Sequence, residues 1–215
     1  MSKPTLAPKT EFDPALHRYT LNGRIIPHVS LILAATGIAP DWRKVDPIIL
    51  ANKRSLGSAL HKCLHYLQEN DLDPESVDDS VKPYLGGYGL FVKDSGFKPT
   101  AVEVRRWPVL NLLPYGMTAD VIGTIRGDLW LLDFKTTEGA PHPSWRLQTA
   151  AYGYGAWPPI TPPFHYRRAS LQLFPNGQYH FKEWTHRGDL DEFTWALALV
   201  WRRINRGEKL WETTK

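Results

Sequence analysis

The segment Asp128-Leu129-Trp130-Leu131-Leu132-Asp133-Phe134-Lys135 constrains the fold more than any other stretch of the chain. Its centre is an unbroken apolar run, the pattern of a strand covered on both faces by other layers. Such a strand lies in the middle of an α/β sandwich and seldom ends in ionisable residues without a reason. This one ends in Asp133 and Lys135. They are two positions apart, so both side chains leave the same face of the strand. Nowhere else in the chain does an acid precede a lysine by two positions.

Two further strands are expected before it, in AVEVRRWPVL (101–110) and MTADVIGTI (117–125), both rich in β-branched and large apolar residues. Arg126-Gly127-Asp128 is a tight connection, so the second of these pairs with 128–135 as an antiparallel hairpin. That register puts Asp120 opposite Phe134 and next to Asp133. Two carboxylates so close repel, and they need a proton, a cation or a metal between them. Hard divalent cations with oxygen ligands, Mg²⁺ or Mn²⁺, meet that need. The alternative is structural ion pairing with Lys135 and with Arg105 or Arg126.

Elsewhere the pattern is mostly helical. Arg18–Ser30 reads as a hairpin turning at Asn22-Gly23, after which Ser30 caps a short helix ended by Gly37. Leu56, Leu60, Cys63, Leu64 and Leu67 form one face of a long helix beginning at Pro47. His61 lies off that stripe, four residues after Gly57, which leaves room for a close approach to a neighbouring strand. A further helix is expected over 83–93. Residues 69–79 hold six acids and no base and read as a solvated loop. Ser144 caps a helix that runs to about Ala156 and is stopped by the proline-rich segment after it. Strands at 165–174 and 178–185 flank an Asn176-Gly177 turn. Asp189 caps the last helix, with Glu192 as its capping-box partner. Residues 1–16 read as a flexible arm and 17–215 as a single domain, helical over about 30–95 and with its core sheet and helices over about 100–207.

Composition closes off several classes. The chain has 215 residues and a net charge of +4, with no run of about 18 apolar residues such as a membrane span requires. Its N-terminus lacks the apolar core of a secretory signal. Cys63 is the only cysteine, which excludes an internal disulfide and any cysteine-ligated cluster. A soluble cytoplasmic protein is expected. Nine tryptophans supply core residues and one or two stacking platforms. Gln148 and Tyr152, one turn apart on one helix face, offer an amide and a phenol to a phosphate or sugar. Arg54, Arg105, Arg146, Arg167 and Arg168 are the cations that would meet a phosphate backbone if the partner were a nucleic acid.

Gly57-Ser58-Ala59-Leu60-His61, Glu103, Gly116-x-x-x-Asp120, Asp133-Phe134-Lys135 and Gln148-x-x-x-Tyr152 occur in this order. The set resembles the PD-(D/E)XK nuclease superfamily, in its RecB-like branch of phage and bacterial exonucleases. His17-Arg18-Tyr19-Thr20 and Pro27-His28-Val29-Ser30 are similar to the N-terminus of phage-borne members. The resemblance covers roughly residues 17–156. It implies a restriction-endonuclease-like core, a central mixed sheet flanked by helices. It also implies that Asp120, Asp133, His61 and the Phe134 carbonyl hold Mg²⁺ or Mn²⁺ and that Lys135 is the catalytic lysine. Gln148 and Tyr152 would support the site and the DNA backbone, and Glu103 matches a recurring acid on the first core strand. The chain departs from the branch at Ala119, where proline is common. The implied activity is metal-dependent hydrolysis of DNA, as an exonuclease of recombination, repair or phage DNA processing in a bacterial cell. DNA with ends is then the principal partner. A recombinase or single-strand-binding protein and self-association remain open, as does an inactive DNA-binding module that keeps the fold.

Overall fold

In the structure, a computed structural model, residues 7–40, 45–157 and 166–212 are described. In chain order the elements are β1 (Thr10–Asp13), β2 (Arg18–Leu21), β3 (Arg24–Ile26), α1 (Val29–Ala35), α2 (Pro47–Gln68), α3 (Lys82–Ser95), β4 (Lys98–Arg106), β5 (Val109–Leu110), β6 (Leu113–Pro114), β7 (Met117–Ile125), β8 (Asp128–Lys135), α4 (Ser144–Ala156), β9 (Tyr166–Leu173), β10 (Tyr179–Glu183) and α5 (Asp189–Asn205). The central sheet runs β10-β9-β8-β7-β4, with β8 in the middle as its apolar run requires. Its neighbours pair antiparallel except β8 and β9, which are parallel and joined through α4. A parallel pair needs such a crossover, whereas β7 and β8 are joined by the two residues Arg126 and Gly127, both at positive φ.

Each face of the sheet carries a core. Leu131 points into the one built from α1, α4 and α5, with Leu147, Ala151, Phe193, Leu197 and Val200. Trp130, Leu132 and Phe134 point into the other, with Leu60 and Leu64 of α2 and Tyr84, Tyr88 and Phe91 of α3. This alternation is the period-2 signature of a doubly covered strand. No helix among the described residues is long and apolar enough to cross a membrane.

β4 and β7 break the alternation at one shared position. Val102 and Val121, which pair, pack on the α2/α3 side, whereas Val104 and Ala119, which also pair, pack on the opposite side. The residues between them are Glu103 and Asp120, so both strands switch faces there. Glu103 carries the cost, with φ at 44° where a residue with a side chain is strained.

The N-terminal segment departs from expectation. The flexible arm expected over 1–16 is partly a strand. β1 pairs residue for residue with β2, because Phe12 buries its ring against Tyr19 across the ladder. Residues 1–6 of that arm, and residues 158–165 of the proline-rich stop after α4, lie outside the described residues. The turn between β2 and β3 has Asn22 and Gly23 at φ 51° and 77°, as the Asn-Gly pair demands. This hairpin is locked to the central sheet at Gly116. A Cβ there would lie 2.1 Å from Cγ of the fully buried Tyr19, so only glycine admits the ring. The Tyr19 hydroxyl then meets Thr118 Oγ1 at 2.5 Å.

Three expected caps are replaced. His28, not Ser30, caps α1, its Nδ1 accepting from the Leu31 N–H at 3.3 Å. Ser144 is the first residue of α4 and Pro143 its cap, while Ser144 Oγ is taken by His142 Nδ1. Gly188 caps α5, because the Asp189 carboxylate is drawn to Arg146 and Arg168.

The His28 cap has a pH consequence. Nδ1 can accept only when unprotonated. Burial, with a smaller contribution from His17, pushes His28 down to about 3. Protonation therefore favours the unfolded chain, whose histidine titrates near 6.5. The stability held by the neutral ring is complete above pH 6.5 and is lost as pH falls toward 3, by about 2 kcal/mol at pH 5. Thermal midpoints should fall between pH 7 and 5. His28→Asn, which keeps a capping oxygen and does not titrate, should flatten that slope. An unchanged slope in the variant would place the titrating group elsewhere.

Candidate active site

The backbone ladder between β7 and β8 runs from Ile125 opposite Asp128 to Val121 opposite Leu132 and goes no further. Beyond it the Phe134 N–H donates to Asp120 Oδ2 at 2.7 Å. A side-chain carboxylate thus replaces the next strand carbonyl, and the two strands separate with charged groups in the gap. Asp120 Oδ1 lies 3.3 Å from Nδ1 of His61, which α2 brings down onto this end of the sheet. On the α4 side of β8, Lys135 Nζ lies 2.6 Å from Oδ2 of the buried Asp133. The same ammonium donates to Gln148 Oε1 at 3.0 Å, and Gln148 Nε2 donates to the Tyr152 hydroxyl at 2.9 Å. Trp145 covers the lysine, its ring centroid 5.6 Å from Nζ.

The electrostatics follow from crowding four ionisable groups around one buried carboxylate, Asp133. Burial raises the Asp133 carboxyl, Lys135 opposes this, and Asp120 adds to it, leaving it at about 6. Burial acts on Asp120 in the same direction. There the charge and hydrogen bond of His61, the charge of Lys135 and the Phe134 N–H prevail, and its pKa falls below the ordinary value. His61 is the reciprocal case. Burial disfavours its charge, but Asp120 prevails and raises it. The Tyr152 phenol is held well above its usual range by burial and by the two carboxylates, so it keeps its proton at neutral pH. Because it accepts from Gln148, that proton is free to be donated.

A divalent cation can be weighed against this donor set. Among the described residues, no group of three or more His, Cys, Asp or Glu is arranged to hold a metal ion. His61 is paired with Asp120, and Asp133 with Lys135. The chemistry of the donors nevertheless suits a hard cation. Two buried carboxylates repel each other, and Asp133 Oδ2, though close to Lys135, has no hydrogen bond of acceptable geometry. Asp120 and Asp133 are the residues that fit such an ion, and the His61 ring nitrogen is turned to Asp120.

Most residues expected at the site are brought together. Glu103 joins His61, Asp120 and Phe134 around a cavity of about 10 Å³, the space of one water or small ion. His65 and Gln68 line the same cavity. They lie one and two turns beyond His61 on α2, a spacing that reveals them once His61 is chosen. Tyr19 and Thr118 at the hairpin contact, and Trp145 over the lysine, were also not expected. Gly57 does not serve the close approach expected of it, since a Cβ there would sit 3.7 Å from Thr136 Oγ1, an ordinary contact.

The arginines divide. Arg105 stays beside the site, 3.7 Å from Glu103. Arg54 is exposed on α2, two turns before His61. Arg146, a quarter exposed, is paired with Asp189 and Glu192. Arg168 is held by the same Asp189, and Arg167 by Glu183 and Asp128.

No protein-family model matches the chain, and no curated protein matches it. Solved structures similar to it include a candidate exonuclease from Eubacterium rectale, 13% identical, covering 81% of this chain and 71% of that one at a TM-score of 0.48. An alkaline exonuclease from Laribacter hongkongensis is 10% identical, covering 84% and 88% at 0.43. The protein SSO0001 is 15% identical, covering 72% and 76% at 0.38. With TM-scores below 0.5, these likenesses add no weight to the site, whose reading stands on its own geometry.

Proposed function

We propose that the chain is a Mg²⁺- or Mn²⁺-dependent deoxyribonuclease that hydrolyses phosphodiester bonds, acting as an exonuclease in recombination, repair or phage DNA processing. One observation carries this reading. A largely buried lysine is fixed between a carboxylate and a hydrogen-bonded amide, beside a second carboxylate, where β7 and β8 part. Structural ion pairs do not need a second acid set beside the first, which burial and then that neighbour's charge hold at about 6.

Asp120 and Asp133 would hold the metal, which supplies a Lewis acid for the phosphate and a bound water of lowered pKa. Lys135 then places a positive charge against the phosphate as negative charge builds on its oxygens. Gln148 aims that ammonium, because its Oε1 accepts from Nζ while its Nε2 is engaged by Tyr152. Tyr152 holds a donatable proton at the same edge. His61 fixes the orientation of the Asp120 carboxylate, with the Phe134 N–H holding its other oxygen.

The second reading is a DNA-binding module without catalysis, favoured by the pairing of the His61, Asp120 and Asp133 side chains with other protein groups. Incubating the protein with linear and circular, single- and double-stranded DNA, with and without Mn²⁺, separates the two. The nuclease reading expects Mn²⁺-dependent loss of linear substrate. Metal-independent binding with no cleavage would leave the module. Cleavage of circles would replace the exonuclease by an endonuclease.

A further inference from the structure

We propose that the rim where the N-terminal hairpin meets β4 binds an unpaired nucleotide of the substrate strand, with Arg105 as its stacking and phosphate-binding platform and His17 beside it. The proposal rests on the nuclease reading and adds the form of DNA that the site takes.

Arg105 lies with its guanidinium 4.0 Å from the centroid of the Phe12 ring. About a third of its side chain is exposed, and the nearest carboxylate oxygen, on Glu103, is 3.7 Å away, so its charge is weakly neutralised. A guanidinium held over a ring can offer its planar group to a base and N–H groups to a phosphate. His17 adjoins it. This residue is exposed and is kept at φ 46°, a strained backbone for a side chain of its size. Its ring packs edge-on against Phe12 at 5.5 Å, His28 at 4.7 Å and Tyr19 at 5.6 Å. The rings packed against it, which keep part of the water away, and then the charge of Arg105 lower the His17 pKa, so the imidazole is a neutral aromatic surface and not a second cation.

The rim is continuous with the candidate site. Tyr19, which packs on both Phe12 and His17, bonds Thr118, two residues before Asp120 on β7. A single cation among aromatic rings suits a single strand, whose bases are free to leave the stack. The stacked bases of a duplex cannot reach such a surface.

The test compares a fluorescein-labelled oligothymidylate with a blunt duplex of equal length, by anisotropy in EDTA so that neither is cut. Arg105→Gln should weaken oligothymidylate binding about tenfold and His17→Ala about threefold, with duplex binding changed less than about twofold. Melting temperatures are measured alongside. If Arg105→Gln does not fold, the exposed His17 decides the matter. No loss on the single strand, or equal loss on both substrates, would overturn the proposal. Wild-type cleavage with Mn²⁺ is read in parallel. A wild type that cuts DNA without this binding pattern sinks the rim and spares the nuclease reading. The pattern without cleavage does the reverse.

Discussion

Lys135→Ala is expected to lower the cleavage rate by roughly three decades while DNA binding in EDTA stays close to wild type. The size follows from one unit charge contact at ~4 Å in an effective dielectric near ~20, worth ~4 kcal/mol. Position explains why rate suffers more than affinity. Lys135 is only 17% exposed and is one charge of many that a DNA strand would meet, yet it stands against the Asp133 carboxylate and aims past it along Gln148. Its removal also acts through its neighbour. Lys135 lowers the Asp133 pKa, so without it that carboxyl rises above about 6 and holds its proton over more of the neutral range. Lys135→Arg separates the two effects. It keeps a charge near Asp133 but spreads it over a planar fork, which cannot set one nitrogen both against Asp133 and on Gln148 Oε1, so it should recover only part of the rate. An alanine variant with more than about a tenth of wild-type rate and an unchanged fold would take the lysine out of the chemistry.

Legibility in the sequence followed the range of the interactions. β8, its hairpin with β7 and the contact of Asp120 with Phe134 could be read because period, turn chemistry and register are local and leave little choice. Gln148 and Tyr152 could be paired because a helix fixes their spacing. The caps were misread where a longer-range partner took the side chain. Asp189 has the right residue type and Glu192 the right spacing, but two arginines from other elements outcompete the helix N-terminus for the carboxylates. The partners of Arg146 were hidden for the same reason, since an arginine in sequence carries no sign of which acid it will meet. The switch of faces at Glu103 and Asp120 was also hidden. Two strands turning in phase leave the pairing register intact and only exchange the cores that Val102 and Val104 enter. The β1 strand was missed because four residues with one half-buried phenylalanine give almost no period to read.

The acid that was drawn away from its cap should carry the largest share of stability of any single polar side chain. Asp189 is fully buried at the start of α5 and pairs with Arg168 of β9 and Arg146 of α4. Arg168 is also nearly buried and donates to the carbonyls of Arg146 and His186 and to Thr149 Oγ1, so it cannot swing out to water without breaking three further bonds. Asp189→Ala leaves that guanidinium in place without its anion, a loss of about 3–5 kcal/mol. In a chain of this size that corresponds to a fall in melting temperature of about 10 °C. Pairing also sets a pH dependence. Burial alone would raise the Asp189 carboxyl, but Arg168 and Arg146 outweigh it and hold its pKa below the ordinary carboxylate value. The stability it supplies is therefore present above about pH 3.9 and is lost as pH falls through the lower folded value. Wild type should lose this contribution in acid and the variant should have none to lose, so their melting curves should approach each other below pH 4. Asp189→Leu combined with Arg168→Met removes both charges and fills the space, and should recover most of the loss. The network matters to the site because Arg146 lies two residues before Gln148 on α4. Below its melting temperature, Asp189→Ala should also lose cleavage rate, and the double replacement should restore it only as far as α4 returns to its place. A shift of less than about 2 °C in the alanine variant would show that the arginines find water or another acid, and that α4 is held by its apolar face alone.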